Sequence, residues 1–387
     1  MTEPVLIVGA GIAGLTAALS LAKRGVDVHV VEQAARLEEV GAGLQLSPNA
    51  TRIIADLGLA EPLRAVASRP ERVALVDART GCDLAAVRLG AWAETRWGAP
   101  YYALHRADLQ RVLFDAALDE PRITLSLGSR IDSLETKADR FRVAAAGHSI
   151  VTPFVIGADG VRSRLRQWAG GKEAQPSGFT AWRGTFSANA LRDLPASPDQ
   201  VTAFLHPRVH CIAYPVRGGA EFNLAGFSTT RGACGGADDF RAFSGSFSDA
   251  LPALARLAGE RERWSAWDVR MVRPFDWGRG NALALIGDAA HATTPFAAQG
   301  GAMAIEDAAS LASAIASGPA EGVNLDDWRQ ARSTRLAHVI KRGRLNQLAW
   351  HVSGPTAWAR NFVLASRSPE RLAADLDWLY GWRMDEG

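Results

Sequence analysis

Gly9, Gly11 and Gly14 stand at the spacing Gly-x-Gly-x-x-Gly, and Glu32 follows about 20 residues on. That set suits the pyrophosphate and ribose of an adenine dinucleotide. The first glycine permits a tight turn, the second lets backbone approach phosphate, the third lets a helix pack on a strand, and the acid can accept from ribose hydroxyls. Two further acids sit at turns: Asp159 in Gly157-Ala158-Asp159-Gly160, with Ser163 and Arg166 behind it, and Asp288 in Gly287-Asp288, with His291 and Pro295 behind it. An aspartate at such a turn is read either as a helix cap or as a ligand to a polar group. His210 and Tyr214 are the acid–base candidates, because imidazole titrates near neutrality and a tyrosine can hydrogen-bond a ligand. A buried histidine satisfied by a hydrogen bond is the plainer alternative. Arg183 and Arg231 are the candidates for holding a carboxylate, against the reading that arginines are mostly surface residues.

These residues need elements to position them. Val5 to Val8 is a strand-length apolar run, and Ile12, Leu15, Leu19 and Ala22 recur at helical spacing until Gly25 ends the helix. Asp27 to Val31 reads as the next strand, completing a βαβ unit with its helix N-terminus aimed at anions. The glycine-spaced stretch Val40-Gly41-Ala42-Gly43-Leu44 reads as a loop beside a flat ligand. Ser47 as N-cap and Pro48 at the first position then start a helix that Gly58 stops. Arg72 to Ala78 and Asp83 to Leu89 form a hairpin, and Arg106 opens a helix with Leu109, Val112, Leu113 and Ala116 on its apolar face. Ile123 to Leu127, Arg130 to Leu134 and Arg140 to Ala145 alternate well enough for a sheet, and Phe154 to Ile156 leads into the Asp159 turn.

Thr180 to Phe186, Thr202 to Leu205, Val209 to Val216 and Glu221 to Phe227 are short strands punctuated by Pro and Gly, a mostly antiparallel construction distinct from the βαβ unit. On Val209 to Val216 the residues His210, Ile212 and Tyr214 share one face while Cys211 and Ala213 take the other. His210 and Tyr214 lie roughly 13 Å apart along that strand, so their side chains must converge to grip one small ring. Leu283 to Ile286 returns to the first style, and the helix after Gln299-Gly300-Gly301 carries Ile305, Ala309, Ala312 and Ile315 on one side. Glu306 and Asp307 are read as first-turn carboxylates suited to the dipole, and Trp328, Trp350, Trp358, Trp378 and Trp382 as core and packing residues.

A chain of 387 residues has room for two or three domains. A formal net charge of +2 gives no reason to invoke nucleic acid. Cys82, Cys211 and Cys234 lie far apart with no Cys-x-x-Cys spacing, so zinc and a redox disulfide are not indicated and a reduced, cytoplasmic setting is expected. No stretch approaches the roughly 20 apolar residues of a membrane span, and no signal-type segment opens the chain.

Taken together, the three junctions resemble those of the single-component FAD-dependent aromatic hydroxylases, the para-hydroxybenzoate hydroxylase group. Gly41-Ala42-Gly43-Leu44 leading to Asn49, Ala181-Trp182-Arg183-Gly184, and Ala298-Gln299-Gly300 leading to Glu306-Asp307 are most similar to salicylate hydroxylase and 3-hydroxybenzoate 6-hydroxylase, as is the spacing His210 to Tyr214. Ala292-Thr293-Thr294 departs from the Pro-containing Gly-Asp motif common there.

The resemblance implies an α/β fold: a Rossmann-like FAD-binding domain from 1–70, 99–172 and 276–345, an interleaved, mostly antiparallel substrate domain from 71–98 and 173–275, and C-terminal helices over 346–387. It implies FAD held by Gly9, Gly11, Ile12, Ala13 and Gly14, with Glu32 on the ribose, Gly43 beside the flavin and Arg106 at the ribityl or pyrophosphate region. Asp159 would support the pyrophosphate and Asp288 the ribityl hydroxyls, with Pro295 near the ring. Gly300, Gly301 and neighbouring Ala302 would present backbone amides to the flavin edge, where reduced flavin carries negative charge. It further implies NAD(P)H as a transient co-substrate, O₂ and a small aromatic substrate as partners, hydroxylation through a flavin C4a-hydroperoxide, and a monomer or homodimer. A non-catalytic flavin protein that shelters a reactive aromatic is the rival reading.

Overall fold

In the computed structural model, residues 3–37, 43–137, 140–280, 282–317 and 325–384 are described. The apolar run Val5–Val8 lies inside a six-stranded sheet whose order across is Gly278–Arg279, Leu283–Leu285, Val155–Gly157, Val5–Val8, Val28–Val31 and Ile123–Ser126. All of its pairs are parallel except the Gly278–Arg279 edge. Strands buried on both faces read as unbroken apolar runs, which is why Val5–Val8 is buried at every position. The helices Ile12–Ala22, Arg106–Leu118 and Gly300–Ala316 share this core through Leu15, Leu109 and Ile305. Removing each such side chain from water contributes about 1.5–3 kcal/mol.

A seven-stranded sheet forms the other half, in the order Ser265–Met271, Gln175–Ser187, Glu221–Thr229, Val209–Val216, Gln200–His206, Arg72–Asp77 and Asp83–Arg88. It is antiparallel except where Gln200–His206 runs parallel to Arg72–Asp77. The period of two sorts its faces. Trp182, Phe204, Cys211 and Leu224 pack under Phe243 and Leu254 of the helices Ala237–Gly245 and Pro252–Gly259. Val201, Ala203, Ile212 and Tyr214 turn instead toward Met303 and Val339 of the first half. Sequence segments of the two sheets alternate along the chain, so each junction of the parallel sheet is brought back to the same place.

Several readings are corrected here. Ile123–Ser126 joins the parallel sheet, while Ile131–Lys137 and Arg140–Ala145 form a separate three-stranded meander with His148–Thr152, a strand the sequence reading passed over. Gly43 and Leu44 begin a strand, Gly43–Leu46, antiparallel to Tyr102–His105; Val40, Gly41 and Ala42 lie outside the described residues. Trp358 and Trp378 are not core: they are 75% and 40% exposed, because helical periodicity does not say which face finds a partner. No helix among the described residues is long and apolar enough to cross a membrane.

Candidate active site

The first junction is built by backbone crowding. Gly9 has φ of +107°, and a Cβ there would lie 2.4 Å from the Ala158 carbonyl oxygen; at Gly14 a Cβ would lie 1.9 Å from the Gly9 carbonyl oxygen. No side chain fits at either position, so the turn, the helix and the Val155–Gly157 strand close on one another only with glycine. Around Gly11 the space is open, and Gly11, Ile12 and Ala13 line the main cavity. Glu32 is half-buried and accepts from the backbone N–H of Ala10 at 2.8 Å and of Ala34 at 2.9 Å. Gly9, Gly14 and Glu32 do not themselves line the cavity.

The second junction behaves as a cap. Oδ2 of Asp159 accepts from the amides of Arg164 at 2.8 Å and Leu165 at 3.2 Å, and Oγ of Ser163 accepts from Arg166 N–H at 2.9 Å, starting the Arg164–Trp168 helix. Asp159 Oδ1 is buried with no partner among the described residues, and the cavity wall there is Ala158 and Gly160. Arg166, buried, donates to the carbonyl oxygens of Val161 (2.6 Å), Lys172 (2.9 Å) and Ala289 (2.9 Å), and so ties the second junction to the third.

At the third junction Asp288 is exposed and lines the cavity; its carbonyl oxygen accepts from Arg166 at 3.4 Å, while its carboxylate has no hydrogen-bond partner among the described residues. The turn before it is held by the amide of Gly287 donating to Asp307 Oδ2 at 3.0 Å. Glu306 and Asp307 are not first-turn residues of the Gly300–Ala316 helix but lie deeper in it, fully buried. Arg332 donates to Asp307 Oδ1 at 2.8 Å and to Glu306 Oε2 at 2.7 Å, Arg335 to Glu306 Oε1 at 2.8 Å, and Asn49 to Glu306 Oε1 at 2.7 Å. Charges this deep persist only when paired, so ion pairing rather than the helix dipole explains the two acids.

His291 meets Asp307 Oδ2 at 2.5 Å. Burial alone would lower the His291 pKa, but the Asp307 carboxylate reverses this and leaves it above the usual value. Burial would raise Asp307, yet His291 and Arg332 hold it at about 2. The raised histidine stabilises the fold in full below about pH 6.5 and loses that contribution as pH climbs through its folded value; the depressed aspartate contributes above about pH 4 and loses it toward about 2. Resistance to urea unfolding is therefore expected to fall as pH rises above about 6.5, and His291→Asn should flatten that decline. Parallel pH profiles for the two proteins between pH 6 and 8 would refute the pairing.

The junctions open on one cavity of about 290 Å³. The seven-stranded sheet supplies Arg183, Ile212, Tyr214, Ala225 and Phe227 as its opposite wall, and Gly43, Leu44, Arg106, Asp288, Pro295, Gln299, Gly300 and Gly301 are among the remaining lining residues. Gly43 is required beside Tyr214, since a Cβ would lie 2.2 Å from Cε2 of that ring. Burial raises the Tyr214 pKa, so the phenol stays neutral and can donate. Arg183, from the same wall, has no ion-pair or hydrogen-bond partner for its guanidinium among the described residues, and burial lowers its pKa while leaving it a cation. Arg231 is exposed and Ala302 is buried beneath the surface; neither lines the cavity.

His210 does not line it either. Its ring stacks on Phe227 with centroids 4.9 Å apart and planes at 20°, one ring behind the wall, and it also meets Phe296 and Trp350. Sequence reasoning gave Gln299 and Asn49 no role of their own and read Ser47 as an N-cap; the three are buried and linked: Ser47 Oγ donates to Asn49 Oδ1 at 2.6 Å and accepts from Gln299 Nε2 at 3.0 Å. Ser47 stands at the N-cap position, but its hydroxyl serves this chain of contacts rather than the helix amides. The paired motif residues Asn49 and Gln299 were the available signal.

Residues 2–342 match the family described as the FAD binding domain. The chain belongs to that family. It is 34% identical over 97% of its length, and 94% of the relative's, to 3-amino-4-hydroxybenzoate 2-monooxygenase of Streptomyces cremeus. It is 31% identical over 98% of its length, and 96% of the relative's, to 3-hydroxybenzoate 6-hydroxylase of Polaromonas naphthalenivorans. Among solved structures it is similar to HpxO of Klebsiella pneumoniae in complex with FAD and uric acid, at 26% identity, a TM-score of 0.84 and coverage of 97% and 95% of the two chains. This member of the FAD binding domain family is an enzyme, a flavoprotein monooxygenase.

The residues present fit FAD. Open backbone at Gly11 and Gly300, two helix N-termini and the unengaged Asp288 carboxylate all face the one cavity. Gly11, Ile12 and Ala13 would hold phosphate, Asp288 and Arg106 the polar chain, and Gly300 and Gly301 the ring edge. Bound FAD supplies the redox chemistry and the activation of O₂.

Proposed function

We propose that the protein hydroxylates a small aromatic acid, phenolic or N-heteroaromatic, using NAD(P)H and O₂, as a cytoplasmic monomer or homodimer with the domain boundaries given above. What carries this reading is that one cavity joins the cofactor junctions to a sheet wall that is apolar at Ile212, Ala225 and Phe227 and polar at Tyr214 and Arg183. An apolar slot accepts a ring and keeps water out, and the Arg183 guanidinium beside it gives a carboxylate somewhere to bind. Tyr214 hydrogen-bonds the substrate, and His210 takes a phenolic proton, making the ring a better nucleophile. The free thiols Cys82, Cys211 and Cys234 suit a reduced compartment.

The test is NADH and NADPH oxidation with 3-hydroxybenzoate, 3-amino-4-hydroxybenzoate and 6-hydroxynicotinate, with product analysis to separate hydroxylation from peroxide release. At least one acid should accelerate oxidation and appear as a hydroxylated product. Arg183→Ala should weaken binding of that acid about 10- to 100-fold, the value of a charge-assisted bond of 1.5–3 kcal/mol. Oxidation unaffected by every acid would leave the sheltering role as the better reading, and unchanged affinity in Arg183→Ala would clear that residue.

A further inference from the structure

A second cavity, of about 200 Å³, lies on the seven-stranded sheet beside the first and shares Arg183 with it. Thr185, Asn223, Arg263, Ser265 and Trp267 also line it. Strand alternation explains this placement. In Gln175–Ser187 the residues Trp182 and Phe186 pack under the helices, so Arg183 and Thr185 turn to the opposite face; in Glu221–Thr229 Leu224 packs there and Asn223 turns away. Ser265 and Trp267 come from the edge strand, opposite Arg183 and Ala181. The crevice therefore continues the sheet face that walls the main cavity, and leads from it to the sheet edge.

Three of its groups are unengaged. Asn223 is 1% exposed, and its Nδ2 donates to the carbonyl oxygen of Gly184 at 3.5 Å. A carbonyl only accepts, so Oδ1 is the other end of the amide, buried and without a partner among the described residues. An orphaned acceptor at this depth is costly until a ligand N–H reaches it. The guanidinium of Arg263 is exposed and, like that of Arg183, has no hydrogen-bond or ion-pair partner among the described residues. The Trp267 indole is 42% exposed, and its Nε1 donates to Ser265 Oγ, which donates in turn to the Arg183 carbonyl oxygen. That ring is held in place with a face open to solvent.

We propose that this crevice docks the nicotinamide half of NAD(P)H; this rests on the hydroxylase reading above. The groups ask for a ligand with an N–H donor, a flat ring and an anionic group. A dihydronicotinamide dinucleotide has all three: its carboxamide N–H donates to Asn223 Oδ1, a flat face packs on Trp267, and its pyrophosphate meets Arg263. A carboxylate in place of the carboxamide would set one acceptor against another at Oδ1, which disfavours an aromatic acid as the occupant. No second Gly-x-Gly-x-x-Gly occurs in the chain, so the reductant has no dinucleotide turn of its own to bind. It must instead be met next to the cofactor cavity, and the shared wall at Arg183 provides that position.

The probes are tetrahydro-NAD and tetrahydro-NADP, which keep the carboxamide and pyrophosphate but give up no hydride, titrated by calorimetry into FAD-loaded protein; 3-hydroxybenzoate is titrated in parallel. Arg263→Gln and Trp267→Ala change exposed side chains, so FAD content should match wild type. The better probe is expected to bind about tenfold more weakly to Arg263→Gln and about threefold more weakly to Trp267→Ala, with 3-hydroxybenzoate affinity within about twofold in both. In wild type, NAD should bind at least tenfold more tightly than its deamido form, whose carboxylate cannot donate to Asn223. Unchanged probe affinity in both variants, equal binding of NAD and deamido-NAD, or a variant that weakens 3-hydroxybenzoate instead of the probe overturns the proposal. Should a variant fail to fold, the comparison of NAD with deamido-NAD on wild type decides alone. If the probe behaves as expected while no acid accelerates NAD(P)H oxidation, the docking site stands and the hydroxylase reading falls.

Discussion

His210→Gln is expected to lower hydroxylation by about 10²- to 10⁴-fold, the range of a positioned acid–base group. The imidazole is held neutral by burial, so it is available as a base throughout the neutral range. Glutamine fills much of the same volume and accepts no proton, so FAD content should be unchanged. Alanine is a poorer probe, because it would also open a void among Phe227, Phe296 and Trp350 and add a packing loss. Substrate-stimulated NAD(P)H oxidation should fall less than hydroxylation, with more of the reducing equivalents recovered as hydrogen peroxide, because a ring that is not ionised is a weaker nucleophile. Wild-type rates with full coupling in His210→Gln would make His210 a packing residue and require another base or substrate that arrives ionised.

Arg332→Ala is expected to cost about 3–5 kcal/mol, the usual consequence of stranding a buried charge. Its guanidinium is the partner of two acids at once, Glu306 Oε2 at 2.7 Å and Asp307 Oδ1 at 2.8 Å, and both acids are fully buried. Glu306 keeps Arg335 and Asn49, so the larger effect falls on Asp307, which also holds the Gly287 amide and His291. The turn that presents Asp288 should loosen, and FAD should be lost well before global unfolding. Since a domain's whole stability is about 5–15 kcal/mol, poor yield is part of the expected result. Denaturant titration read by both flavin absorbance and far-UV circular dichroism checks this. A loss below about 1 kcal/mol with full FAD retention would mean the acids are neutral or hydrated instead of paired.

Features encoded within a few residues were legible in the chain alone. The turn at Gly9 to Gly14 is forced by contacts between neighbours, and the Val209–Val216 strand shows which residues share a face because strand geometry alternates side chains regardless of what covers them. The same locality left roles open. Oδ2 of Asp159 caps its own helix while Oδ1 has no partner among the described residues, and spacing cannot choose between a cap and a phosphate contact. Trp358 reads like Trp328 along the helix yet is exposed, since aromatic content does not reveal whether another face comes to meet it.

Sequence by itself determined the nucleotide turn, the family, and the face on which His210 and Tyr214 lie. Only the tertiary structure decided that His210 stands behind Phe227 with its Nδ1 given to a histidine 141 positions away. It likewise decided that Glu306 is matched by Asn49 from 257 positions earlier and by two arginines of a later helix. The physical reason is the range of each constraint. Backbone sterics act between adjacent residues and leave a readable spacing, whereas the state of a buried charge or an imidazole nitrogen depends on which remote groups the fold delivers to it, and no local pattern records that.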